Sequence, residues 1–134
     1  MLISILVSLM VIAGTAQADT NPRFDLICEG TQRLSNPMLG VLKESPWSQR
    51  IAVDMDLELF CNEGCTAPSR IARVTADAIH FAISEKPEVV TVVAVADGQF
   101  YHTQIGEVQG NRYVETMVGS CRKADFTPFP QSSF

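Results

Sequence analysis

The chain has 134 residues, 46% of them hydrophobic, and 10 Lys and Arg against 15 Asp and Glu give it a net charge of −5. A chain of that length builds one domain with a modest core. The acidic balance argues against a nucleic-acid backbone or an anionic lipid surface as the main partner.

Residues Leu2 to Ala13 are apolar apart from two serines, and Gly14, Thr15 and the small-x-small triplet Ala16-Gln17-Ala18 follow. This is the pattern of a signal-peptide h-region and its cleavage site. A spanning helix needs about 20 apolar residues, and the polar Asp19-Thr20-Asn21-Pro22 arrives before that. The n-region has no Lys or Arg, which is compatible with a start further upstream. No cysteine stands at the cleavage site, so no lipid anchor is expected. The reading is therefore 1–18 signal peptide, cleaved near Ala18, and 19–134 a single β-rich domain, periplasmic or secreted, with no stable membrane insertion. A terminal Phe134 is a feature of outer-membrane barrels, but Pro128 and Pro130 break the continuous strand that would need.

All four cysteines, Cys28, Cys61, Cys65 and Cys121, fall after the cleavage site, and an even count in an oxidising compartment reads as disulfides. Of the three possible pairings, Cys28 with Cys121 and Cys61 with Cys65 is favoured, because it ties the opening segment to the closing one and staples a local loop. On chain entropy the long closure stabilises by about 4–5 kcal/mol and the short one by about 2. Cys61-Asn62-Glu63-Gly64-Cys65 has three intervening residues, not the two of thioredoxin-like motifs, and no second Cys or His pair stands at zinc-ligand spacing.

In chain order, Arg23 to Gly30 alternates, with Phe24, Leu26 and Cys28 on one face, and reads as a half-buried strand. Thr31 to Trp47 carries Asn36-Pro37, Gly40 and Ser45-Pro46 and reads as loop, with Trp47 at the core edge. Arg50 to Cys61 places Ile51, Val53, Met55, Leu57, Leu59 and Cys61 opposite the polar positions, a strand bent or interrupted near Asp56. Ser69 to Ser84 spaces Arg70, Arg73, Asp77, His80 and Ser84 three and four apart, so periodicity alone favours a helix capped by Ser69. Read as strands, the same segment alternates Ile79, Phe81 and Ile83 after a turn near Asp77. Glu88 to Ala96 is β-branched, and Asp97-Gly98 before Gln99 to Ile105 is the signature of a type I′ hairpin. Gln109-Gly110-Asn111 marks another turn, Arg112 to Cys121 a further strand, and the proline-bearing tail is irregular.

Little in this pattern carries chemistry. His80 and His102 have no metal-binding spacing, and His102 shares a strand face with Phe100 and Gln104. Asp54, Asp56 and Glu58 would lie along one strand face about 7 Å apart. That spacing could serve a hydrolase, but alternation also makes it the solvated face of a sheet. No metal and no cofactor is expected.

The segment Phe24-Asp25-Leu26-Ile27-Cys28-Glu29-Gly30-Thr31, the strand ending in Cys61-x-x-x-Cys65, Ile71 to Val74 and the closing Gly119-Ser120-Cys121 resemble a group of small exported bacterial proteins. That resemblance implies an all-β fold, a small disulfide-stapled antiparallel β-barrel or half-barrel in which Ile71 to Ile83 is two short strands. The alternative is an α+β fold with one helix at about 69–84. The group implies no activity. Asp97-Gly98-Gln99-Phe100-Tyr101 is also similar to the Ser-Gly-x-x-Tyr loop of periplasmic lysozyme inhibitors, with Asp for Ser, and Gln109-Gly110-Asn111-Arg112-Tyr113 matches as well. The expectation is a non-enzymatic binding domain for a protein or a small ligand, with Asp97, Gly98 and Tyr101 as a possible partner-binding hairpin. The alternatives are a lysozyme inhibitor and a hydrolase using the acidic face.

Overall fold

The computed structural model describes residues 21–85, 88–95 and 97–131; the expected signal segment lies outside them. Nine strands follow in order: β1 (Arg23–Asn36), β2 (Gly40–Asp54), β3 (Leu59–Asn62), β4 (Ser69–Arg70), β5 (Arg73–Val74), β6 (Ala78–Glu85), β7 (Glu88–Ala94), β8 (Gln99–Val108) and β9 (Asn111–Ala124). No helix occurs among the described residues.

They form one antiparallel sheet in the order β4-β3-β2-β1-β9-β8-β7-β6-β5. Every neighbour is sequence-adjacent except β1 and β9, which join the first strand to the last. Because all pairings are antiparallel, β4 and β5 run in the same direction, and only Ile71 and Ala72 separate them. Three peptide units reach at most about 11 Å, so the two outer edges of the sheet are tied close together. Ser69 to Val74 acts as one broken strand, bonded to β3 by its first half and to β6 by its second. The meander thereby curls into a small barrel.

Cys28 is bonded to Cys121 directly across the β1–β9 pair, and Cys61 to Cys65 within the loop after β3. Two residues from the first bridge, Gly30 faces Gly119. A Cβ on Gly30 would stand 2.0 Å from the Val118 carbonyl oxygen, and one on Gly119 2.0 Å from that of Glu29. Only glycine permits this approach. The bare row lets Trp47, which pairs with Gly30, stack on Phe100, which pairs with Gly119, at 4.6 Å between ring centroids. Phe24, Leu26, Ile51, Val53, Ile79, Phe81 and Val93 fill the rest of the apolar interior.

Several sequence expectations are corrected. Thr31 to Trp47 is strand apart from a tight turn. Asn36 Oδ1 accepts the Met38 and Leu39 amides at 2.8 and 3.1 Å, and Gly40 takes φ +76°. The second turn signal, Ser45-Pro46, sits inside β2. Cys28 and Cys121 approach to 4.0 Å at Cα, which marks a non-hydrogen-bonded pair. Alternation then turns the polar groups of Gln49 toward β1 and those of Pro46, Ser48 and Arg50 outward, and the Arg50 carbonyl accordingly accepts from Glu63 at 2.9 Å. Proline therefore lies where no partner strand needs its N–H.

Residues 50–61 are a hairpin, β2 and β3 around a four-residue turn, so Cys61 pairs with Ala52 on the face opposite Ile51 and Val53. Ile71 to Ile83 does hold two short strands, β5 and the start of β6, and the alternative helix at 69–84 is absent: Thr75 Oγ1 accepts the Asp77 and Ala78 amides in a turn, and Ile79 and Phe81 alternate into the core. Burying those side chains in the barrel outweighs the helical spacing of the polar residues. The β7–β8 hairpin exists, but its register pairs Val93 with Phe100, which leaves a longer loop than a two-residue turn at Asp97-Gly98. The type I′ turn is Gln109-Gly110, with φ +52° and +77° between Val108 and Asn111.

Candidate functional site

Because β3, β4 and β5 are short, β2 before Arg50 and β6 after His80 have no neighbour on their outer sides among the described residues. The barrel is closed at one end and slit open at the other, and a recess of about 140 Å³ opens there. Its apolar walls are Ile51, Phe60, Phe81, Phe100 and Met117, with Ala82 at the edge. Gln49, Asn62, Thr91 and His102 supply its polar groups.

The register explains the polar group. Thr91, His102 and Met117 stand side by side on β7, β8 and β9, one inward step beyond Val93, Phe100 and Gly119. Thr91 Oγ1 lies 2.7 Å from His102 Nδ1, and Glu115 Oε1 lies 3.6 Å from Nε2. Burial pushes the His102 imidazole below its usual value, and Glu115 pulls part of the way back. The ring is thus neutral at neutral pH. With a carboxylate facing Nε2, the proton is favoured there, so Nδ1 accepts from the Thr91 hydroxyl and the Thr91 lone pairs remain available. The carboxamides of Gln49 and Asn62 have no hydrogen-bond partner among the described residues, and no buried side-chain polar atom is left unsatisfied. These amides therefore meet solvent in the recess. A concave, largely apolar surface with a few convergent polar groups is the usual form of a small-molecule site.

A second cleft, about 260 Å³, lies on the outer face between the Cys61–Cys65 loop and the tail residues Thr127, Pro128 and Pro130. Its floor is structural. Asp25 is fully buried and accepts from Arg50 Nε, from the Thr127 amide at 2.9 Å and from the Thr127 hydroxyl at 2.6 Å. Burial pushes its carboxyl up, but the Thr127 and Arg50 hydrogen bonds outweigh this and leave it below the ordinary carboxylate range. Asp25 fastens the tail across β1 and β2.

The residues singled out in the sequence lie elsewhere. Asp97 caps the Gln99 amide at 3.0 Å, Gly98 takes φ +69° with its carbonyl bonded to the Cys121 amide at 2.7 Å, and Tyr101 is exposed on the outer face opposite Val118. Asp54, Asp56 and Glu58 share no strand face. Asp54 is buried, pairs with Arg23 and caps the Asp56 and Leu57 amides, while Asp56 and Glu58 lie in the exposed turn. None of the three lines the recess or the outer cleft. The Thr91–His102 pair escaped the sequence because a two-residue turn at Asp97-Gly98 would have set His102 against Val93. Register, not composition, brings the pair together.

Fold and site define a disulfide-stapled antiparallel β-barrel with a polar-rimmed mouth. No family model matches the chain, and no curated protein or solved structure shows significant similarity to it.

Proposed function

We propose that this chain is a non-enzymatic binding domain of an oxidising compartment, periplasmic or secreted after cleavage near Ala18, and that its mouth takes up a small organic ligand. The observation that carries this reading is the apolar recess whose lining joins Phe60 and Phe81 to the solvent-facing carboxamides of Gln49 and Asn62. Both carboxamides meet solvent rather than protein, so their donors and acceptors are open to a ligand that displaces that water. The two disulfides support the compartment. No helix among the described residues is long and apolar enough to cross a membrane. A thermal-shift screen of neutral fragments tests the reading. Some fragments should raise the melting point saturably in the native protein and lose the effect in Ala82→Phe, which fills the recess. Fragments that work equally well in both proteins, or none that work at all, would overturn it.

A protein partner is the second reading, favoured by the tip of the β1–β2 hairpin. Met38 is 93% and Leu39 75% exposed on a turn whose backbone Asn36 already satisfies. With Val41 and Leu42 also exposed beside them, they form a clustered apolar patch of the kind that marks interaction sites. Lysozyme inhibition through the Asp97–Tyr101 loop is one named form of this reading, and undiminished lysis at excess protein would remove it.

A further inference from the structure

Resting on the mouth as a ligand site, we infer that its ligand is a single neutral aromatic ring bearing one hydrogen-bonding substituent, of the size of phenol. Size is the first argument. The recess holds about 140 Å³, close to the roughly 150 Å³ of an apolar protein cavity that accepts one benzene molecule. A bicyclic ring would overfill it and leave part of itself in solvent at the open mouth.

The walls are the second argument. Phe60 and Phe81 meet at 4.9 Å between centroids with their planes inclined by 59°, and Phe100 and the Met117 thioether complete the lining. Inclined rings present both a face and an edge to a third ring, and a thioether sulfur favours aromatic neighbours. An aliphatic ligand of the same volume gains neither contact.

The rim is the third argument. The free carboxamide of Gln49 both donates and accepts, and the Thr91 oxygen retains lone pairs once its hydrogen is given to His102. One hydroxyl on the ring can therefore be satisfied in both directions. Among the described residues no Lys or Arg lines the mouth, and the Glu115 carboxylate beside His102 repels an anion. A neutral ligand follows. The same chemistry is offered by a free phenol and by the tyrosine side chain of a partner.

The disulfide-intact exported protein is titrated with phenol, toluene, cyclohexanol and 2-naphthol, read by the His102 ring protons in NMR and by the emission of Trp47. Trp47 is the chain's single tryptophan and stacks on the Phe100 wall. Phenol should shift the His102 signals saturably. Toluene should bind about tenfold more weakly for want of the hydrogen bond, and 2-naphthol should bind more weakly than phenol. Gln49→Leu should weaken phenol severalfold toward toluene, with the Thr91 oxygen still accepting from its hydroxyl, while leaving the ligand-free Trp47 emission unchanged. Cyclohexanol binding as tightly as phenol, or 2-naphthol binding more tightly, would overturn the ligand class and leave the mouth standing as a site. Silence of His102 toward all four compounds would remove both. N-acetyltyrosinamide separates the sources: affinity equal to that of phenol assigns the ring to a partner's tyrosine, and binding of phenol alone assigns it to a free molecule.

Discussion

Gly119→Ala tests whether the facing glycines set the shape of the barrel. A methyl at 119 would lie 2.0 Å from the Glu29 carbonyl oxygen and 2.8 Å from the Gly30 Cα, both backbone atoms. Ordinary contact begins near 3.4 Å, so β1 and β9 must part by more than an ångström at this point. The Cys28–Cys121 bridge two residues away holds the strands together and prevents the clash from spreading. Overpacking of this kind costs about 1–3 kcal/mol, and disturbing the Trp47–Phe100 stack adds about 0.5–1.5 kcal/mol. The expected loss is therefore about 1.5–4.5 kcal/mol, or a fall in melting point of roughly 6–27 °C for a domain of this size. Urea and thermal unfolding of the oxidised protein, followed by far-ultraviolet circular dichroism and by Trp47 emission, measures it. Stability within about 0.5 kcal/mol of the parent, with unchanged Trp47 emission, would show that the facing glycines do not set the spacing of β1 and β9.

Asp25→Asn should cost about 1–3 kcal/mol, because the buried carboxylate's charge-assisted hydrogen bonds from Arg50 and Thr127 are weakened while the half-exposed Arg50 stays solvated, and it should let carboxypeptidase digest past Thr127; a parent-like melt would contradict this. The folded carboxyl of Asp25 lies below its unfolded value, so its contribution is complete above about pH 4 and is lost as pH falls through the folded pKa. His102 also lies below its unfolded value near 6.5, so the unfolded chain binds the proton first and stability declines as pH drops below about 6.5. An NMR titration should place the His102 midpoint under that value, and lower still in Glu115→Gln; an upward shift in the variant would be wrong for this geometry. Gln109→Asn should stabilise by about 0.5–1 kcal/mol, since Asn tolerates the left-handed conformation that Gln109 adopts. No gain in melting point would show that the turn is not strained there.

The strands with two-residue periodicity were legible because one face of each is buried: Phe24, Leu26 and Cys28 on β1, and Ile51 and Val53 on β2. The closing segment was harder to read. Ser69 to Val74 contains too few residues to show a period, and its role depends on two strands that are distant in sequence. Turn residues gave mixed signals for local reasons. Gly40 and Gly110 end hairpins, whereas Pro46 occupies a strand edge and Gly106 lies inside β8, where the ring of Tyr113 covers it. The mouth was the least legible part. Gln49, Thr91 and His102 come from three strands, and an error of two residues in the length of one loop is enough to separate Thr91 from His102. Asp25 looked like an ordinary outward residue of an alternating strand because the tail that covers it arrives 102 residues later.

A high-resolution crystal structure of the oxidised protein grown with phenol tests the ligand site most directly. The ring should lie between Phe81 and Phe100 with its oxygen in hydrogen-bonding contact with Gln49 or Thr91. A mouth closed by its own side chains, with the Gln49 carboxamide bonded internally and phenol found only on the outer surface, would contradict it.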